Sequence, residues 1–249
     1  MIVDIHTFCW NEEIRLPYFL RHYYPICRNM YIYDNGSNDK SEDIASKYSR
    51  VVWDKSLYGL GEINDITLRE IKNTAWKKTS RDADWVVVCD IDEIVYHRVG
   101  LQKYMERATD RGYTILRPHG YDMVSTAIPT HEGMFYDDDE FKYGVKHDNG
   151  GRCDKQCIFS PKHIVDINYD FGAHYANPTG NVKVAYDVDL KLLHYKYLSR
   201  DYIVDRHMVC AQRMSDINKR SGWGAHYQNE ADVQRTSFDK LLCERVKVL

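Results

Sequence analysis

One stretch limits the possible folds more than any other. Trp85-Val-Val-Val-Cys89, the most apolar run in the chain, ends abruptly in Asp90-Ile-Asp92-Glu93. The run has the length of a strand, and its lack of polar alternation predicts burial on both faces. A strand covered on both sides belongs to a sheet with a helical layer on each face, so the expected fold class is α/β.

The rest of the first half keeps that alternation. Residues 2–8 form an apolar, β-branched run, and Asn11-Glu-Glu13 then opens a helix reaching Phe19 and Leu20, with Pro17 in its first turn. Residues 29–33 read as a strand stopped by Asp34-Asn35-Gly36, which turns because these residues accept positive φ cheaply. Asn38 or Asp39 caps a helix over 40–49, residues 51–54 make a third strand, and Ile63, Ile66, Thr67, Ile71, Thr74 and Ala75 mark one face of a further helix. Leu101, Tyr104, Met105 and Ala108 predict another helix and residues 113–117 another strand. The pattern predicts a mostly parallel central sheet flanked by helices, with a nucleotide-binding half over 1–118.

From 119 to 180 the pattern loosens, and the acidic run Asp137-Asp-Asp-Glu140 reads as a solvated loop. Strands are expected at 155–159, 182–186 and 189–197. A helix capped by Ser199 follows, with Ile203, His207, Cys210, Met214 and Ile217 on one face. The expected organisation is one domain over 1–225, its 119–225 half meeting the acceptor, and a helical tail over 226–249.

Composition excludes several classes. A net charge of -3 without a concentrated basic face argues against a nucleic-acid partner. No apolar run approaches the roughly 18 residues of a membrane span, and the first residues lack a basic and apolar leader, so a cytoplasmic location is expected. Peripheral membrane association through the tail stays open. Seven scattered cysteines fit reduced thiols, with Cys153 and Cys157 the one close pair. The 20 tyrosines suit either a cleft gripping polar rings or a half-buried surface.

Carboxylates at the carboxyl end of a buried parallel strand sit where open α/β sheets bind ligands. Asp90 and Asp92, two residues apart, address one side and can share a divalent cation, since Mg2+ and Mn2+ prefer oxygen ligands and bind phosphates alongside them. Such an ion neutralises a departing diphosphate. Asp137-Asp-Asp139 and Asp187-Val-Asp189 have the same spacing but no preceding apolar strand. Asp170-Phe-Gly172 is a kinase-like triplet without the accompanying kinase motifs and reads as chance.

Asn11-Glu-Glu13, Tyr33-Asp-Asn-Gly-Ser-Asn-Asp39 and Asp84-Trp-Val-Val-Val-Cys-Asp-Ile-Asp-Glu93, in that order and followed by His194-Tyr195, resemble family 2 glycosyltransferases of the GT-A fold. The closest subgroup has an Asp-x-Asp-Glu metal motif and a later His-Tyr pair, and similar proteins act in polysaccharide biosynthesis and glycan decoration. The resemblance spans about residues 2–200. It implies a transferase that moves a sugar from a nucleotide diphosphate to a hydroxyl of a glycan, glycolipid or glycoprotein, with inversion. A UDP-sugar donor is favoured and a GDP-sugar is the alternative, with Mn2+ or Mg2+ as the ion.

Carried over by residue, the resemblance puts the segment from Thr7 to Glu12, including Phe8, Trp10 and Asn11, beside the nucleotide. It gives Asp34 a hydrogen bond from the base, Asp90 and Ile91 the donor, and Asp90, Asp92 and His194 the metal; His194 also reads as a core histidine. Lys155, Lys196 and Arg200 are candidates for the diphosphate. The chain departs from the family in having Asn35 where a second aspartate is usual, and in lacking the Glu-Asp pair that often supplies the base. An inverting transfer needs a base within reach of the acceptor hydroxyl. Asp154 is the first candidate and His174 the second, with Asp122 and Asp170 behind them. Two other classes are expected to differ testably: a nucleotidyltransferase needs a Gly-rich basic loop after the first strand, which Cys9-Trp-Asn-Glu-Glu is not, and a non-catalytic carbohydrate-binding module has no need of a complete acidic site.

Overall fold

The computed structural model describes residues 1–57, 61–146 and 153–249. The Gly150-Gly151 pair before Cys153 lies outside the described residues. In chain order the elements are β1 (Val3–Cys9), α1 (Leu16–Tyr23), β2 (Asn29–Asp34), α2 (Ser41–Ala45), β3 (Val51–Asp54), α3 (Asp65–Thr79), β4 (Trp85–Val88), β5 (Glu93–Tyr96), α4 (Leu101–Asp110) and β6 (Ile115–Val124). There follow β7 (Tyr143–Val145), β8 (Ile158–Phe159), β9 (Ile164–Asp166), β10 (Thr179–Gly180), β11 (Val184–Tyr197), α5 (Arg200–Arg213), α6 (Asp216–Ser221), α7 (Ala231–Glu244) and β12 (Val246–Lys247).

One sheet organises the molecule, in the order β12-β7-β6-β8-β4-β1-β2-β3, with β11 paired to both β5 and β6. Strands β4, β1, β2 and β3 run parallel, as does β6 beside β11, whereas β5, β7, β8 and β12 pair antiparallel. The fold is thus α/β, with a parallel centre and an antiparallel flank. β4 is fully buried. Trp85 and Val87 enter the main core with α1 and α4, while Val86 and Val88 enter a second core with Trp76 of α3 and Phe159. A period of two on a strand covered on both sides gives this division.

Several elements differ from the sequence expectation. The helix expected over 40–49 is the short α2, where Asp39 Oδ1 accepts from Ser41 N at 2.9 Å. On α3 the buried residues are Lys72 and Trp76, while Ile66 is exposed, because this helix turns a polar stripe toward the sheet's carboxyl edge. The strand at 155–159 shrinks to β8, and the two expected at 182–186 and 189–197 merge into one bulged β11. The acidic run is tied down: Glu140 accepts from Thr126 and Arg245, and Asp139 pairs with Lys247. Ser199 caps α5 as expected, accepting from Tyr202 N at 3.2 Å. The tail is helix α7, with Phe238 buried, and then β12 on the sheet edge. All seven cysteines are free thiols. No helix among the described residues is long and apolar enough to cross a membrane.

Candidate functional site

The carboxyl ends of β1, β2 and β4 open into a cleft of about 570 Å³, roofed by α5 and the segment after α6. That volume lies within the roughly 300–1,000 Å³ usual for small-molecule sites. Phe8, Trp10, Glu12, Asp90, Ile91, Asp92, His174 and His194 all line it. Phe8 and His194 are far apart in sequence, so it is the sheet order that gathers this set.

The turn after β4 holds the two aspartates. Glu93 Oε2 accepts from Asp90 N at 3.0 Å, and Glu93 N donates to Asp90 O at 2.9 Å, which closes the turn on itself. Tyr195 N donates to Asp92 O at 2.7 Å, joining the turn to β11. On that strand Leu193 and Tyr195 face the core, so His194 and Lys196 face the cleft.

Each carboxylate already meets protein cations. Lys72 Nζ lies 2.7 Å from Asp90 Oδ1, and Lys155 Nζ lies 3.7 Å from Asp90 Oδ2 and 2.5 Å from Glu93 Oε1. Arg15 Nη1 lies 3.1 Å from Asp92 Oδ2, and His194 Nε2 lies 3.5 Å from the same oxygen. Burial alone would raise both aspartate pKa values, but these cations reverse the effect: Lys72 and Lys155 hold Asp90 below the usual carboxylate range, and His194 and Arg15 hold Asp92 well below it. Burial would lower the pKa of His194, yet Asp92 and Asp122 push it up to about 10.

The residues fit a divalent ion by the chemistry of their donors: two hard carboxylates and an imidazole nitrogen face one space. Among the described residues no group of three His, Cys, Asp or Glu forms a ready-made cage. An Mg2+ or Mn2+ ion would therefore exchange for Lys72 and Arg15 and take further ligands from phosphate and water, as these ions commonly do.

The other end of the cleft is built from the turns after β1 and β2. Arg15 bonds both oxygens of Glu12 at 2.8 and 3.1 Å. Arg206 of α5 also reaches Glu12, and donates to Asn11 O at 2.9 Å and Trp10 O at 3.1 Å. Burial raises the Glu12 pKa, with Arg15 and Arg206 opposing it. Arg213, about two turns further along the same face of α5, lies 3.5 Å from the centre of the Trp10 ring and donates to Asn35 O at 3.1 Å. Asn11 itself is left-handed, φ 50°, a conformation asparagine tolerates, and its amide exchanges two 2.8 Å bonds with Asn38.

Several expected residues are placed elsewhere. Asp34 is buried, accepts from Ser37 N at 3.0 Å and does not line the cleft. Its neighbour Asn35 does: Nδ2 donates to Glu62 O at 2.9 Å, leaving Oδ1 buried without a hydrogen-bond partner among the described residues. Thr7 is buried behind the cleft wall, and Asn11 is turned to Asn38. Asp154 accepts from Gly120 N at 2.8 Å and stands outside the lining, so the structure does not bring it to the aspartate pair. His174 is brought there, by a turn in which Gly172 and Ala173 are both left-handed, and a Cβ on Gly172 would come within 2.8 Å of the His174 ring. Of the three cations expected at a diphosphate, Lys155 and Lys196 line the cleft, whereas Arg200 pairs with Asp239 on the surface.

Sequence reasoning missed Arg15, Lys72, Arg206 and Arg213. The signal was helical spacing: Asp65, Leu68, Arg69 and Lys72 on α3, and Arg206, Cys210 and Arg213 on α5, each fall on one face. Phe171 and Trp223 stack 3.9 Å apart at the mouth, with Arg69 over Phe171.

No family model and no curated protein matches this chain. Among solved structures, glucosyl-3-phosphoglycerate synthase from Mycobacterium tuberculosis in complex with Mn2+ and UDP-glucose is similar over 48% of this chain and 43% of its own, at 18% identity and a TM-score of 0.33. The same synthase with Mn2+, UDP and glucosyl-3-phosphoglycerate gives 48%, 44%, 17% and 0.32. A mycobacterial protein gives 49%, 41%, 16% and 0.33. The alignments thus span less than half the length of these structures.

Proposed function

We propose that this chain is a metal-dependent glycosyltransferase of the GT-A type, which transfers a sugar from a nucleoside diphosphate, uridine favoured and guanosine second, to an acceptor hydroxyl with inversion. The observation that carries the reading is the meeting of Asp90, Asp92 and His194 at the carboxyl edge of a parallel sheet, in one cleft with the turns after β1 and β2. The order of sequence motifs adds to it.

In this reading Asp90, Asp92 and His194 hold Mn2+ or Mg2+, which when bound supplies Lewis-acid stabilisation of the leaving diphosphate. The chain's own residues do the rest. Arg15 and Arg206 fix the turn after β1 through Glu12. Lys196 faces the cleft with its pKa lowered by burial, and among the described residues no carboxylate is bonded to it; it is the cation placed to gain an anionic partner when a diphosphate enters. His174 is the candidate base for the acceptor proton. Trp10 offers an aromatic surface, and Asn35 Oδ1 an acceptor, to a base bearing an N–H group.

Calorimetry with UDP, GDP and Mn2+ tests the assignment. The expected result is nucleotide binding that strengthens with Mn2+ and loses that dependence in Asp92→Asn. No binding of either nucleotide, together with an unaltered Asp92→Asn protein, would sink it.

A further inference from the structure

The strand pairing brings together a second carboxylate and the cleft histidine. In the parallel register of β6 against β11, Asp122 stands opposite His194. Its Oδ1 lies 2.7 Å from His194 Nδ1, and Asp122 is 8% exposed and does not line the cleft. An ionised carboxylate only accepts, so the proton in this contact belongs to Nδ1. The opposite ring nitrogen, Nε2, is the one 3.5 Å from Asp92 Oδ2.

We propose that Asp122 is the positioning residue of the ion end of the cleft: by keeping a proton on Nδ1 it makes Nε2 the nitrogen that gives up its proton and turns a lone pair to an ion entering the space shared with Asp92. The inference rests on the ion-binding reading above and adds to it a residue that touches neither ion nor acceptor. Two features support it. Its strand neighbours Met123 and Val124 are 1% exposed core residues, so an aspartate at 122 is costly unless a partner compensates its charge. A ligating imidazole must also present one nitrogen unprotonated, and a carboxylate behind the other nitrogen is the usual means of fixing which one. The same geometry removes Asp122 from the candidates for the acceptor's base, since it lies behind His194 rather than in the cleft.

The test compares wild type, Asp122→Asn, Asp122→Ala, His194→Ala and Asp92→Asn. Mn2+ affinity in the presence of UDP is read from the electron paramagnetic resonance of free Mn2+, and the His194 tautomer by 15N NMR of the Mg2+-UDP complex. The expected result is a proton on Nδ1 in wild type and a loss of about 10- to 100-fold in Mn2+ affinity in both Asp122 variants. In Asp122→Asn the amide can donate to Nδ1 instead, so the proton should move to Nε2. UDP affinity without metal should stay unchanged in the Asp122 variants, which separates positioning from general damage. A wild-type proton on Nε2, or Asp122→Asn keeping both wild-type tautomer and Mn2+ affinity, overturns the proposal. If His194→Ala and Asp92→Asn bind Mn2+ like wild type, the ion-binding reading fails instead, and the ring tautomer in the Asp122 variants still decides whether Asp122 orients His194.

Discussion

Asn35 donates its side-chain amide to the carbonyl of Glu62 at 2.9 Å, which fixes the amide and leaves Oδ1 as a buried acceptor in the wall of the cleft. Arg213 donates to the backbone carbonyl of Asn35 itself at 3.1 Å. An acceptor with a guanidinium beside it complements the adjoining N–H and C=O of uracil or guanine, and opposes the ring nitrogen acceptors of adenine and cytosine. Asn35→Leu should weaken UDP binding by about 10-fold, the scale of one buried hydrogen bond, while Asn35→Asp, which keeps an acceptor, should weaken it less. Calorimetry with UDP, GDP, CDP and ADP measures both effects; equal affinity for all four in the wild type would show that Asn35 selects nothing.

His194 links ion binding to pH. Its pKa of about 10 means that the ion-free protein carries an imidazolium at neutral pH. An entering ion must displace that proton, so Mn2+ affinity should rise between pH 6 and pH 9, with proton release visible as a buffer-dependent heat. In the ion-free protein the sign is opposite. A pKa raised from 6.5 gives stability that is complete below 6.5 and lost as the pH climbs toward 10. Thermal melts in EDTA should therefore separate wild type from His194→Gln at pH 6 and bring them together near pH 10.

Lys155 is held by Glu93 at 2.5 Å, with both side chains buried. Lys155→Met leaves Glu93 charged and unpaired, and should cost about 3–5 kcal/mol. The double variant Lys155→Met/Glu93→Gln should recover part of that loss. Urea denaturation checks the cycle, and additive effects would mean that the two residues do not depend on each other.

His174 and Asp154 part company in the structure, one in the cleft and one bonded to Gly120. With a competent donor and acceptor, His174→Ala should lower kcat by about 100-fold or more. Asp154→Asn should keep kcat within a few-fold and show its effect in the melting temperature. The reverse ranking would return the base to Asp154.

Much of this site was legible because strand periodicity is short-ranged. The run from Trp85 to Cys89 announces a doubly covered strand, and the acids that follow it lie at its carboxyl end wherever the rest of the chain goes. Trp10 and Glu12 follow from the end of β1 in the same way. Lys72 was hidden because a helix facing a charged cleft buries a lysine stem, so hydrophobic spacing on α3 points to the wrong face. Asp122 was legible only as a candidate base: its pairing with His194 was hidden, because that partner lies 72 residues away and is reached only through the β6–β11 register, which local patterning does not encode. Asp34 and Asn35 differ by one residue at a turn, and which of them faces the cleft depends on the Glu62 carbonyl beside them.

The division of β4 between two cores has a consequence for how the site comes into being. Because successive side chains of one strand anchor opposite layers, the acids at its end cannot be set in place by either layer alone. Packing defects far from any ligand, on the Trp76 side or on the Tyr23 side, would reach the Asp90 turn through the same four residues, so the affinity of the cleft would register the integrity of the whole interior.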